Sequence, residues 1–155
     1  MTPAVNTAKK AKVAFELHSY FHDPANQSYG LEASEKMGVA PDRVFKTLVV
    51  TIDAKQMVVA VIPVSAMLSM KQIAKAAGGK KAEMAEGTAV ERSTGYLLGG
   101  VSPLGQKKRL KTFIDTTAQN FSTVFVSAGR RGLEIELSPE DLKTVCSAMF
   151  YDLRA

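Results

Sequence analysis

One stretch constrains this chain more than any other: Ser93-Thr94-Gly95-Tyr96-Leu97-Leu98-Gly99-Gly100-Val101-Ser102-Pro103-Leu104-Gly105-Gln106-Lys107-Lys108-Arg109. Four glycines and a proline surround a short apolar core that runs straight into three cations. Glycine accepts positive φ and lets another molecule approach the backbone, while proline fixes φ and removes a donor. Such a segment makes a poor helix or strand but a good rigid loop with exposed amides and an anion-attracting rim. Two roles stay open at this level: a cradle for a polar ligand, or a structural turn between core strands followed by a solvated charge run. A phosphate P-loop is excluded, because Gly105 is followed by Gln106 and Lys107 rather than by Lys and Ser or Thr. The glycine spacing also fails the G-x-G-x-x-G dinucleotide fingerprint.

The 155 residues fit one domain spanning 1–155, and 46% hydrophobic with 23% charged residues is a globular balance. No apolar run approaches the ~20 residues of a membrane-spanning helix, and no apolar segment follows the early cations as in a secretory signal. The single cysteine, Cys146, excludes an internal disulfide and fits a reducing compartment, the cytoplasm. The net charge of +5 is unevenly spread. Lys107, Lys108, Arg109 and Lys111 follow the glycine loop, while Glu134, Glu136, Glu140 and Asp141 gather elsewhere. Nucleic acid is a fitting partner for such a face, and so is plain solubility.

Taken in order, Thr2-Pro3 opens a helix running to about Val13, and Phe15 to Phe21 alternate as a strand. A short helix is expected over Leu31–Met37, stopped by Gly38. Val44 to Ile52 is the strongest strand, with Met57 to Val64 returning beside it. Met70 to Ala77 reads as a helix, and Ala82 to Val90 as a short acidic stretch with a solvated face. After the glycine loop come strands at Thr112–Asp115, Thr123–Ser127 and Leu133–Leu137. The last pair is joined through the basic turn Gly129-Arg130-Arg131-Gly132. Ser138-Pro139 starts a final helix, and Ala148 to Asp152 closes on a strand. Strands outnumber helices without strict alternation, so the expected fold class is α+β, a curved, barrel-like mixed sheet flanked by helices.

Few groups suit chemistry. Lys46 shares a strand face with Val44, Leu48, Val50 and Ile52. It either snorkels from a strand end or projects a point charge into a pocket mouth. His18 and His22 are four residues apart on a strand, ~13 Å, too far to share one ion, so no metal site is expected. Cys146 falls at helical spacing with Leu142 and Val145, which suits a core position rather than a nucleophile.

The glycine stretch, together with Met1-Thr2-Pro3-Ala4, His22-Asp23-Pro24, Phe45-Lys46-Thr47-Leu48 and Val126-Ser127 through Leu137, resembles the YbaK-type aminoacyl-tRNA deacylases. These are relatives of the editing domain inserted in bacterial prolyl-tRNA synthetases. The resemblance covers essentially the whole chain and is nearest the branch that clears cysteine from proline tRNA. It implies that Lys46 and the loop residues Gly99, Gly100, Val101 and Ser102 are catalytic. Tyr20, Tyr29, Thr47, Tyr96, Pro103, Ser127, Gly129, Arg131 and Glu134 fall where substrate-binding residues lie. Lys107, Lys108, Arg109 and Lys111 would meet the tRNA. No cofactor is implied. The implied partners are mischarged proline tRNA and, in a ternary complex, prolyl-tRNA synthetase. Tyr29, Glu134 and Ala128 stand where close relatives resemble Phe, Asp and Gly, which leaves the fine shape of the amino-acid pocket open.

The implied chemistry needs no protein nucleophile: the substrate's own cysteine thiol attacks its ester carbonyl, releasing tRNA and a cyclic thiolactone. The protein would supply positioning and oxyanion stabilisation. Two alternatives remain at this level, a water-mediated deacylase of another mischarged tRNA such as Ala-tRNA(Pro), and a non-catalytic tRNA- or synthetase-binding module.

Overall fold

The computed structural model describes all 155 residues. The first helix, α1 (Pro3–Ala11), starts where Thr2 Oγ1 accepts the Val5 N–H at 3.2 Å with proline in the first turn. It ends before Val13 because Lys12 turns left-handed at φ 59°. Strand β1 (Phe15–Ser19) leads to α2 (Tyr29–Met37), which begins two residues earlier than expected and takes in Tyr29. Gly38, at φ 66°, caps that helix.

The centre is the hairpin of β2 (Phe45–Ile52) and β3 (Gln56–Pro63), paired in register from Phe45↔Pro63 to Ile52↔Gln56. Helix α3 (Met70–Ala76) is capped by Ser69. The stretch expected to be a solvated acidic segment divides instead into β4 (Ala82–Met84) and α4 (Gly87–Thr94). β5 (Lys111–Asp115), β6 (Val124–Arg130), β7 (Leu133–Leu137), α5 (Pro139–Cys146) and β8 (Met149–Tyr151) complete the chain.

The α+β class and the mixed sheet hold, but the expected barrel-like closure does not. Two open sheets form: β1-β7-β6, and β4-β2-β3-β5-β8, the latter parallel at β3–β5 and β5–β8. The only strand pairing between them is a single parallel bridge, Val44 to Phe125. β4 spans three residues and pairs only with Val50–Ile52, so no strand continues the pairing around to β6. A barrel requires an unbroken ladder.

Because β2 and β3 are covered on both sides, their burial does not alternate. On one face Phe45, Val49, Val59 and Val61 pack with Val126, Ile135 and Leu137 of the smaller sheet, with Ala4, Val5 and Ala8 of α1, and with Leu142 of α5. On the other, Val50, Ile52, Val58 and Ile62 pack with Ile73 of α3. A third, smaller cluster places Ala33 of α2 against Val44, Val64 and Phe125, at the meeting point of the sheets.

The C-terminus is tied down by Asp115, a fully buried carboxylate at the end of β5. It accepts the Leu153 N–H at 2.9 Å, the Thr117 N–H at 3.2 Å and the Thr117 hydroxyl at 2.5 Å, and pairs with Arg154 Nε at 3.3 Å. Asp115→Ala strands those donors. The expected loss is about 3 kcal/mol of stability, read as a Tm fall of roughly 6–12 °C; a loss in denaturant titration below about 1 kcal/mol contradicts that role.

Candidate functional site

β2 and β6 touch at the Val44–Phe125 bridge, where the Phe125 N–H donates to Arg43 O at 3.0 Å, and then separate. β4 joins β2 only from Val50 onward, with the Ala85 N–H donating to Val49 O at 3.0 Å. Between these points the β2 edge around Lys46–Leu48 has no strand neighbour, and a cavity of about 560 Å³ opens there. α2 flanks it on one side and β4–α4 on another, with the glycine loop and the β6–β7 hairpin completing the wall.

The glycine loop is held from behind. Gly95 ends α4 at φ 82°, its N–H donating to Glu91 O. Buried Tyr96 donates its hydroxyl to Leu104 O at 2.5 Å. Ser102 is fully buried and its Oγ accepts the Leu104 N–H at 3.2 Å. The thiol of Cys146 donates to Pro103 O at 3.3 Å. On the cavity side, Ser127 Oγ donates to Gly100 O at 3.2 Å, and Glu91 accepts the Leu98 N–H at 3.0 Å. Two glycines are required here, Gly99 by its left-handed conformation and Gly100 by the backbone it lies against. A Cβ on Gly99, whose φ is 88°, would lie 2.3 Å from Arg131 Nε, and one on Gly100 would lie 2.8 Å from Arg130 Cα.

Nine of the sequence-predicted site residues line this cavity: Tyr20, Tyr29, Lys46, Thr47, Gly99, Val101, Ser127, Arg131 and Glu134. Gly100, Ser102, Pro103, Tyr96 and Gly129 lie outside the lining; all but Gly129 belong to the braced loop. Gly129 packs on Tyr96 and Thr2. The Gly100 N–H is already given to Leu97 O at 3.0 Å, whereas those of Gly99 and Val101 have no partner within the chain. Lys107, Lys108, Arg109 and Lys111 do not reach the cavity. Lys107 and Lys108 bond back to Thr94 O and Ser93 O at the C-terminal end of α4, and Arg109 reaches Ser147 Oγ at 3.4 Å.

Several wall residues were not predicted: Leu31, Met84, Ala85, Gly87, Val90 and Leu98. Most sit on β4, on α4 or at the mouth, where neither periodicity nor reactive chemistry marks them. The run of exposed apolar Leu97-Leu98 beside Gly99 was the one available signal.

The electrostatics of the cavity are unusual in what is left unpaired. Lys46 has no carboxylate partner, and burial alone pulls its ammonium below the usual lysine range. Thr47 Oγ1 is buried without a hydrogen-bond partner. Glu134 is the only acidic residue on the wall; it is 6% exposed, and burial pushes its carboxyl up to about 8. Tyr20 is pushed up to about 12 by burial and by the neighbouring Glu134, so its phenol stays neutral. Both imidazoles are engaged elsewhere. His18 Nε2 meets Glu136 at 2.8 Å, and His22 Nδ1 meets buried Glu32 at 2.6 Å. Burial raises the Cys146 thiol to about 12, so it is not a nucleophile at neutral pH.

Residues 25–145 match the family described as the aminoacyl-tRNA editing domain. EbsC of Enterococcus faecalis, named as a candidate Cys-tRNA(Pro)/Cys-tRNA(Cys) deacylase, is 37% identical over 152 residues, covering 98% of this chain and 92% of EbsC. YwhH of Bacillus subtilis is 32% identical over 111 residues, covering 72% of this chain and 70% of YwhH. Among solved structures, a candidate trans-editing enzyme for prolyl-tRNA synthetase superposes with a TM-score of 0.85 at 19% identity, covering 100% of this chain and 99% of that one. At that identity the likeness is one of fold. With the family match over most of its length and EbsC alike from end to end, the chain belongs to the aminoacyl-tRNA editing domain family.

Proposed function

We propose that this chain is a trans-editing deacylase whose substrate is cysteine esterified to proline tRNA, with residues 1–155 acting as one domain. The observation that carries the mechanism is the cavity's lack of a nucleophile–base pair: its one carboxyl holds its proton up to about 8, neither imidazole lines the wall, and the lone thiol is bonded to Pro103 O behind the loop. A site of this kind can still accelerate the reaction if the substrate brings the attacking group, since proximity supplies effective molarities of up to ~10⁵ M or more. The sulfur of the cysteinyl group attacks the ester carbonyl and forms a C–S bond. The ester C–O bond then breaks, the thiol proton passes to the departing ribose hydroxyl, and a cyclic thiolactone leaves with free tRNA.

The free Gly99 and Val101 amides face the developing oxyanion, while Gly100, Ser102 and Pro103 hold the loop in shape. Lys46 adds an unneutralised cation, and Glu134 remains a hydrogen-bond donor that does not quench it. Thr47 offers its unpartnered hydroxyl to the aminoacyl group, Ser127 braces Gly100 of the loop, and Tyr20 and Tyr29 line the same cavity. Lys107, Lys108, Arg109 and Lys111 contact the tRNA body away from the cavity, and prolyl-tRNA synthetase is the candidate partner that delivers it. The likeness to EbsC, whose name covers two cysteinyl-tRNAs, supports a pocket that reads the cysteinyl ester more than the tRNA. One free thiol fits a reducing compartment, the cytoplasm.

Cysteinyl and seryl esters on the same tRNA, compared at saturation, should differ by orders of magnitude in favour of cysteine, because the serine hydroxyl is the weaker nucleophile; equal rates would assign the chemistry to water. Lys46→Ala should lower kcat by about 10²-fold with circular dichroism unchanged, and near wild-type turnover would remove Lys46 from the mechanism.

Glu134 makes a pH-dependent contribution whose sign is set by its raised value. The folded protein holds the proton up to about 8 while the unfolded chain releases it near 4.5, so stability is present below that lower value and is lost as pH rises toward 8. The difference in unfolding free energy between wild type and Glu134→Gln should therefore shift against wild type across this window, by at most about 1.4 kcal/mol per pH unit. A difference independent of pH would show that Glu134 is ionised in the fold.

A further inference from the structure

The cavity wall carries two cations, and the mechanism uses only Lys46. The other, Arg131, lies at the exposed tip of the β6–β7 hairpin beside Gly132, which turns at φ 87°. Its guanidinium sits over the Tyr29 ring, with Cζ 3.7 Å from the centroid. Nη2 donates to Leu98 O at 3.3 Å, and the same group lies directly over Gly99, where a Cβ would come within 2.3 Å of Nε. Arg131 therefore bridges α2 and the glycine loop at the cavity mouth. None of the chain's ion pairs includes it.

The platform beneath it is built to stay still. Gly30 packs so tightly on Val64 that a Cβ would lie 2.4 Å from Val64 Cγ1. The ring of His22 meets Tyr29 edge-on at 6.0 Å, and its Nδ1 is bonded to buried Glu32. Glu32 also accepts the Asp23 N–H at 2.9 Å and lies 3.4 Å from Lys36. Burial works to raise the Glu32 carboxyl, but these bonds outweigh it and hold the group below the usual carboxylate range. The Tyr29 face is thus presented rigidly while the arginine resting on it is exposed.

A guanidinium stacked by its face keeps its N–H edges free, and five donors in a plane match a phosphate bidentately. Only one is occupied here, by a neutral carbonyl at a long distance. A phosphodiester offers charge-assisted bonds roughly twice as strong. We propose that Arg131 is a phosphate-gripping latch: it rests on Leu98 O at the cavity mouth and moves to the phosphodiester preceding the terminal nucleoside when the acceptor end enters. This rests on the aminoacyl-tRNA function proposed above and adds a backbone-reading residue that anchors the substrate one linkage from the ester. Arg131 is a positioning residue, since the reacting carbonyl lies with Lys46 and the loop amides.

The test compares wild type, Arg131→Met and Arg131→Lys on two substrates with the same cysteinyl ester: full tRNA, and the 3′-cysteinyl ester of adenosine, which lacks the phosphodiester. The expected result is that the preference for tRNA over the nucleoside ester, measured as a ratio of kcat/KM, falls about ten- to a hundredfold in Arg131→Met. The salt slope of tRNA binding should fall by about 0.7 to 0.9, one phosphate contact. Arg131→Lys should recover part of the preference, because it keeps the charge without the fork or the stack. A titration independent of turnover accompanies this: cytidylyl-adenosine should bind wild type more tightly than adenosine, and the advantage should vanish in Arg131→Met. An unchanged substrate ratio, or a dinucleotide advantage that survives in Arg131→Met, overturns the latch while leaving the deacylase function standing. Failure of wild type to turn over either ester overturns the function, and the latch with it.

Discussion

The bridge between Val44 and Phe125 is the contact on which the rest of this structure depends. Two sheets that share one bridge and then part company leave a wedge, and a wedge in a protein interior must be filled or become a cavity. Ala33, Val64 and Phe125 close its apex around Val44. At the other end β4 seals the β2 edge from Val50 onward. What remains is the stretch around Lys46 and Thr47, where a strand edge, normally a liability, faces a pocket instead of solvent.

The glycine loop completes that arrangement because it can approach a neighbouring backbone closely. Gly100 lies against the Arg130 backbone at a separation that a side chain would forbid, and Gly99 takes a left-handed conformation beneath Arg131. Support comes from behind through Tyr96, Ser102 and Cys146, each spending its polar atom on a loop backbone group. These residues act through geometry. A buried loop with unsatisfied carbonyls would be costly, and these bonds satisfy the loop from behind while the Gly99 and Val101 amides keep no partner within the chain.

Charge inside the wedge follows from the same geometry. Depth lowers the ammonium of Lys46 and raises the carboxyl of Glu134, so the two need not neutralise each other as a surface pair would. Imidazoles that could have supplied a base are drawn to Glu136 and Glu32 outside the pocket wall. The result is a cavity biased toward negative charge, with no reactive side chain poised to attack.

Much of this was legible in the chain. Thr2-Pro3 and Ser138-Pro139 start helices because a hydroxyl and a fixed φ act locally, and the structure places helices at both. The glycine stretch reads as a loop, which it is from Gly95 onward after Ser93 and Thr94 end α4, and a lone lysine among aliphatic strand residues singles out Lys46 as a candidate. Short elements escaped: β4 exists only because the Val50–Ile52 edge was available to pair with it, and α4 carries few apolar residues, Ala89 and Val90. Barrel closure was misjudged for a related reason, since whether the last ladder closes depends on pairing between strands far apart in sequence. Local conformation and the identity of the polar residues are properties of a segment and its neighbours, so the sequence alone determined them. The mouth formed by Leu31, Met84 and Leu98, the stacking of Arg131 on Tyr29, and the isolation of Lys46 from any carboxylate are distances between remote segments, and only the packed tertiary structure could decide those.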